Sequence, residues 1–145
     1  MSDKTFTVCG VELKGSDAIL CVLETNKEAI SPVVTKTKIT LSNGSDMEGI
    51  RKFQDEFKNE LINKKIDLII IKERLTKGKF SGGSNTFKME SAIQLLRDFK
   101  VETVSSVQMK KCSETVNPPI KPEALGIKKY QEQAYLTAIY SVYAR

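Results

Sequence analysis

The chain has 145 residues, of which 40% are hydrophobic and 28% are charged, a balance typical of one globular domain over residues 1–145. Three cysteines and no histidine exclude a histidine-based nucleophile and argue against zinc of the Cys/His type. The formal net charge of +5 is compatible with a polyanionic partner.

We expect neither a secretory signal nor a membrane span. The first ten residues, MSDKTFTVCG, lack the basic-then-apolar pattern of a signal peptide. No window reaches the roughly 18 apolar residues that a membrane helix needs. The expected location is the cytoplasm, with no membrane partner and with Cys9 and Cys21 as reduced core residues.

The first part of the chain predicts three strands and a helix. Residues 5–13 and 17–25 are rich in apolar and β-branched residues and are separated by a Gly-Ser pair, which favours a hairpin. In residues 33–41, the odd-numbered positions from Val33 to Leu41 share one face, and Lys36 and Lys38 lie on the other. This alternation is typical of a strand with one solvated face. Ser45 and Glu48 form a capping-box pattern, so a helix begins there.

The second part continues with alternating strands and helices. Residues 66–73 form a continuous apolar run typical of a buried central strand, and a helix is predicted over residues 85–99. Residues 101–107 predict an edge strand, residues 108–122 a proline-rich surface loop, and a final helix ends near Tyr143. The order βββαβαβα predicts an α/β fold with a mixed five-stranded sheet flanked by helices.

Two glutamates stand at strand ends. Glu12 ends the first strand, and Glu73 ends the buried fourth strand. In α/β sheets, ligands bind beyond the carboxyl ends of parallel strands, and two adjacent carboxylates repel unless a cation lies between them. Mg²⁺ or Mn²⁺ suits such oxygen ligands. Each acid can also be an ordinary strand-end charge, with Glu73 paired to a neighbouring cation.

Two segments carry a resemblance to a known superfamily. CGVELKGSDAILCVL, residues 9–23, resembles the first hairpin of the RNase H-like superfamily in its Holliday-junction-resolvase (RuvC-like) branch. IIIKERLTKGKFSGGSNTFKMESAIQLL, residues 69–96, resembles that branch's fourth strand with its glutamate, the loop and the helix behind it. The whole chain is also similar to a bacterial domain family of unknown function assigned to this fold.

The resemblance implies a Mg²⁺- or Mn²⁺-dependent phosphodiesterase acting on structured nucleic acid. By motif, Glu12 takes the place of the first catalytic acid, which is usually Asp, and Glu73 takes the place of the second. The third acid precedes a small-residue run, here YQEQAYLTAI, where Gln133 holds the matching position and Glu132 is its neighbour. Whether Glu132 or Gln133 faces the site stays open, so both are candidate metal ligands.

Basic residues surround the proposed acids. Arg74, Lys77 and Lys79 lie in a glycine-rich loop, and Lys14, Lys110 and Lys111 extend a basic rim. Lysine and arginine neutralise phosphates, and glycines let the backbone approach them. These residues are therefore the candidate nucleic-acid contacts. The other interpretation is a solvated loop with scattered surface lysines.

Four tyrosines lie on the last helix: Tyr130, Tyr135, Tyr140 and Tyr143. Their spacing scatters them around the helix, which favours core or subunit packing, with a homo-oligomer as one outcome, over base stacking. Two functions follow for the whole chain. One is a metal-dependent nuclease or its relative, and the other is a non-catalytic module that binds nucleic acid or a protein partner.

Overall fold

The computed structural model describes residues 5–26, 29–73, 83–115 and 121–143. Two short 3-10 helices, Pro122–Leu125 and Lys129–Gln131, precede the last α-helix. The strands and helices are β1 Phe6–Lys14, β2 Asp17–Thr25, β3 Ile30–Pro32, β4 Lys38–Thr40, α1 Met47–Leu61, β5 Leu68–Lys72, α2 Ser84–Gln94, β6 Val101–Val104, α3 Ser106–Thr115 and α4 Glu132–Tyr143.

The strands form one mixed sheet. Its order is β3-β2-β1-β5-β6, and β4 pairs with β2 beside β3. β1 and β2 form the predicted antiparallel hairpin, with Gly15 in its turn at a φ of 63°, a left-handed conformation that favours glycine. β1, β5 and β6 run parallel. Their carboxyl ends therefore meet at one edge of the sheet.

Helices cover both faces of this sheet. α1 and α2 lie on one face, where Phe53, Phe57 and Met89 pack against Val11 and Ile71. The α1 stripe follows the helical spacing predicted from the sequence. Because apolar side chains dominate this face, its main contribution is burial of nonpolar surface. We call it the α1/α2 face.

The other face is covered by α4. Ala134, Tyr135 and Ala138 pack against Val8 and Ile70 there. We call it the α4 face. The predicted core positions of the two cysteines are confirmed, since Cys9 belongs to the α1/α2 core and Cys21 to the α4 core. No helix within the described ranges is long and apolar enough to span a membrane.

The strand predicted over residues 33–41 is reduced to β4, and β3 lies just before it. β3 ends at Pro32, which has no N–H to donate to a ladder. Only β4 restores regular pairing with β2, although Val33 and Thr37 between them still exchange single backbone bonds with β2 at 2.9 and 2.8 Å. The sheet consequently has six strands instead of five.

The predicted loop over residues 108–122 begins as a helix. Ser105 and Gln108 form a reciprocal cap for α3, with Gln108 N–H donating to Ser105 Oγ at 3.1 Å and Ser105 N–H to Gln108 Oε1 at 2.9 Å. This is a capping box, which satisfies two helix-end donors. Its effect is to place Met109 and Lys110 beside α4. The α/β fold class itself is confirmed.

Candidate nucleic-acid interface

The candidate site lies where β1 and β5 end. The parallel register pairs Val11 with Ile71, so the next residues along the two strands, Glu12 and Lys72, stand side by side. Neighbouring strands lie about 4.8 Å apart. The neighbour of Glu12 across this pair of strands is therefore a cation, whereas the sequence had suggested a second carboxylate.

Both side chains belong to the α4 face. Side chains alternate between the faces of a strand, and Gly10, two residues before Glu12, lies directly under α4. A Cβ atom at Gly10 would stand 2.1 Å from the backbone oxygen of Ala134 and 2.9 Å from Cβ of Ala138. The missing side chain therefore lets α4 approach the sheet closely. In this arrangement Lys72 Nζ donates a hydrogen bond of 2.9 Å to Gln133 Oε1.

A row of four side chains crosses this end of the sheet. Glu12 pairs with Ile19 of β2, and Ile19 pairs with Lys38 of β4. With Lys72 on the other side of Glu12, the row has a lysine at each end and is about 14 Å long. We call Lys72, Glu12, Ile19 and Lys38 the sheet-end row.

The segment before α4 holds one end of this row in place. Lys38 Nζ lies 5.2 Å from the ring centroid of Tyr130, within the range of a cation–π contact. The Tyr130 hydroxyl is hydrogen-bonded to Thr37 Oγ1. Gln131 is buried and donates from Nε2 to the backbone oxygen of Leu20 at 2.9 Å. These contacts fix the start of α4 over β2.

The candidate Lys14 adds a further charge beside the row. It is exposed, two residues beyond Glu12, and therefore on the same face. Asp17 pairs with it in register and accepts a hydrogen bond from Thr40 Oγ1 at 2.6 Å. This part of the sheet thus presents three lysines, at positions 14, 38 and 72, around the carboxylates of Glu12 and Asp17.

The other candidate acids are placed differently. Glu73 is exposed and follows β5, and its backbone N–H donates to the oxygen of Val104 at 2.7 Å. It stands one residue beyond Lys72, so continued alternation assigns it to the α1/α2 face. Glu132 is the exposed first residue of α4. The structure brings together Glu12, Lys72 and Gln133, and it does not pair Glu12 with Glu73 in register.

The remaining basic candidates fall into two groups. Lys110 and Lys111 lie exposed on α3, and Lys110 lines the same pocket as Lys72 and Gln133. Arg74, Lys77 and Lys79 lie outside the described residues, so their contribution to a basic rim stays a prediction.

A divalent cation does not fit the side chains assembled at this place. The amide oxygen of Gln133, a neutral candidate ligand, already accepts from the ammonium of Lys72. A cation bound between Glu12 and Gln133 would stand beside that ammonium, and like charges in proximity disfavour each other. Among the described residues, no group of three or more His, Cys, Asp or Glu side chains is arranged to hold a metal.

Sequence reasoning missed Lys72 and Lys38 as site residues. Lys38 was assigned to the solvated face of its strand, but its position in register with Ile19 and Glu12 depends on where β4 pairs. For Lys72 the signal was weaker, because β5 is apolar on both faces and its sequence hides which face each residue takes. Its place beside Glu12 is fixed by the β1–β5 register, which the structure supplies.

Solved RuvC structures share this fold. The fold matches Thermus thermophilus RuvC with a TM-score of 0.71 at 12% identity, covering 95% of this chain and 94% of that one. The T. thermophilus RuvC structure in complex with a Holliday junction substrate matches with a TM-score of 0.74 at 11% identity, over 96% and 94% of the two chains. The chain has the RuvC-like RNase H fold.

The family can also be stated. The sequence profile described as "Protein of unknown function (DUF3010)" matches residues 6–141. The chain belongs to this family. No curated protein matches the sequence.

Proposed function

We propose that the protein binds structured nucleic acid at the carboxyl ends of β1 and β5 and that Lys72, in place of a metal ion, supplies the central positive charge. The observation that carries this proposal is the hydrogen bond of 2.9 Å from Lys72 to Gln133, beside Glu12 in register. An ammonium held by an amide is preorganised, and it can contact a phosphate oxygen directly. This is the non-catalytic alternative of the sequence analysis.

The charge of the surrounding surface supports a polyanionic ligand. Lys14 and Lys38 extend the positive charge along and across the sheet from Lys72. Lysines at these positions can contact phosphates of a nucleic-acid backbone, and such contacts dominate the affinity of nucleic-acid binders. The similar RuvC structure was determined with a Holliday junction, which supports branched nucleic acid as the first ligand to try.

The test is a comparison of binding by the wild type and by a triple Ala variant at Lys14, Lys38 and Lys72. Fluorescence anisotropy of a labelled four-way junction should give weaker binding and a salt slope reduced by about 2 to 3, since each lost phosphate contact removes about 0.9. Lys100→Ala is the matched control, because Lys100 lies before β6 at the opposite sheet edge in an exposed ion pair with Glu102 of 3.4 Å. Equal binding and equal slopes in all three proteins would contradict the proposal.

The second candidate is a Mg²⁺- or Mn²⁺-dependent nuclease that uses Glu12, Glu73 and Glu132, with Gln133 as a neutral ligand. The position of Glu12 at the end of β1, on the face covered by α4, favours it. Glu12→Gln and Glu73→Gln should then each abolish Mn²⁺-dependent cleavage of a branched substrate. Cleavage that survives in both variants would show that these residues are not needed for the reaction. A wild type that binds the junction without cleaving it would favour the binding function over the nuclease.

A further inference from the structure

A pocket opens between α3 and α4 at the end of β5. Its volume is about 250 Å³, below the usual range for drug-sized ligands of about 300–1,000 Å³. Lys72 and Gln133 stand at the end nearest the sheet-end row. Met109, Leu136, Ile139, Tyr140 and Tyr143 contribute most of the remaining lining.

The chemistry of the lining changes from one end of the pocket to the other. Met109, Leu136 and Ile139 make an apolar body, and Tyr140 and Tyr143 add half-buried aromatic surface. Burial raises the pKa of the Tyr143 hydroxyl, whose neutral form already predominates at physiological pH. The sheet-proximal end is cationic because of Lys72. A ligand that fits has a flat, mainly apolar body and an anionic group attached to it.

One side-chain contact joins the two walls. Thr137 Oγ1 on α4 lies 3.7 Å from Met109 Sδ on α3, and it also bonds to the backbone oxygen of Gln133 within α4 at 2.7 Å. The capping box of Ser105 and Gln108 fixes the start of α3 at the end of β6. The pocket is therefore largely formed before a ligand arrives, which lowers the entropic cost of binding.

We propose that this pocket receives one unstacked nucleobase, with the adjoining phosphate on Lys72. The proposal rests on the proposed function, because Lys72 belongs both to the sheet-end row and to the pocket. Aromatic and apolar side chains accept the face of any base, and stacking of this kind contributes strongly to binding of unpaired nucleotides. The cation at the mouth suits the attached phosphate.

The groove between α1 and α2 provides a contrast. It is larger, about 490 Å³, and exposes Met47, Phe87 and Leu95. Its lysine, Lys88, donates to the backbone oxygen of Gly44 at 2.5 Å, and the groove lies on the other face of the sheet from the sheet-end row. It serves as a control surface.

The experiment combines a ligand that lacks the base with a variant in which a larger side chain fills the pocket. Affinities are measured for a duplex with a single-nucleotide bulge and for the same duplex with an abasic residue at the bulge. Leu136→Trp fills the pocket, and Leu95→Trp places the same ring on the exposed α2 surface, where Leu95 is 72% exposed. Circular dichroism and melting temperature verify that each variant folds.

We expect the wild type and Leu95→Trp to bind the bulge about tenfold more tightly than the abasic ligand. In Leu136→Trp this preference should disappear. If Leu136→Trp does not fold, Tyr140→Ala replaces it, with Phe87→Ala on α2, where Phe87 is 46% exposed, as control. Equal affinities for the two ligands in a wild type that binds both would overturn the pocket proposal alone. A wild type that binds neither would overturn the proposed function and the pocket proposal together.

Discussion

The two faces of the sheet are packed in different ways. On the α1/α2 face, large side chains such as Phe53, Phe57 and Met89 fill the space between helices and strands. On the α4 face, small residues stand opposite Gly10, where even a methyl group would overlap the backbone of Ala134. The first face separates helix and strand by side-chain volume, and the second brings them close.

This difference explains where polar side chains meet. Because α4 approaches β1 and β5 closely, the amide of Gln133 at its start reaches Lys72 at the end of β5. The polar site is thus a consequence of small-residue packing further along the same helix. Residues that carry stability and residues that carry binding should therefore be coupled on the α4 face and separable on the other.

The largest expected effect comes from Gly10→Ala. The added Cβ would stand 2.1 Å from the backbone oxygen of Ala134, so α4 must move away from the sheet. We expect the free energy of unfolding to fall by about 3 kcal/mol or more, with nucleic-acid affinity lost in parallel. Gly83→Ala is the matched control, because a Cβ there meets nothing within 4 Å. Urea unfolding that gives equal stabilities for the two variants would contradict the close approach.

One buried cysteine lies on each face, and each should affect how stability depends on alkaline pH. Burial raises the pKa of Cys9, on the α1/α2 face, well above 9.0, and raises that of Cys21, on the α4 face, to about 12. The thiols are protonated in the folded state while the unfolded chain loses their protons above pH 9. The unfolded state then binds fewer protons, so stability is full below pH 9 and falls above it.

The expected slope is about 1.4 kcal/mol per pH unit for each thiol. Urea unfolding between pH 8 and 11 measures it, and Cys9→Ala or Cys21→Ala should each remove one part. An unchanged slope in both variants would mean that the thiols are not the cause. A slope lost in only one variant would locate the effect on one face.

The smallest expected effect is that of Gln133→Ala. It removes the acceptor of Lys72 Nζ but leaves the ammonium half exposed and able to bind water. We expect a loss of about 1 kcal/mol in stability and a several-fold decrease in affinity for nucleic acid. Gln94→Ala, at the exposed end of α2, should change neither. Identical affinities for the two variants would remove Gln133 from the positioning of Lys72.

Much of the fold follows from local patterns in the sequence. The apolar strands and the glycine turn predict the β1–β2 hairpin, and the spacing of Phe53, Phe57 and Leu61 predicts the inner stripe of α1. The start of α1 is one residue from its prediction, since Asp46 accepts from the Gly49 N–H at 2.8 Å and is the cap. Competing acceptors in a polar turn make such boundaries hard to predict.

The parts that local patterns missed depend on contacts between distant residues. The prolines after position 115 suggested a loop and obscured the cap at Ser105 and Gln108 that starts α3. The site depends on register, because a shift of one residue exchanges the faces of Lys72 and Glu73. A strand apolar on both faces carries no signal that fixes this register, so the face that Glu73 takes could not be predicted from local sequence.

The central claim is that Lys72 holds the place between Glu12 and Gln133 that a metal ion would take. Calorimetric titration with Mn²⁺ tests it on the wild type, on Glu12→Gln, on Lys72→Glu, and on the double variant Lys72→Glu with Glu12→Gln. We expect no Glu12-dependent binding in the wild type. Lys72→Glu sets a second carboxylate beside Glu12, so Mn²⁺ binding should appear and should be lost in the double variant. Mn²⁺ binding by the wild type that disappears in Glu12→Gln would contradict the account.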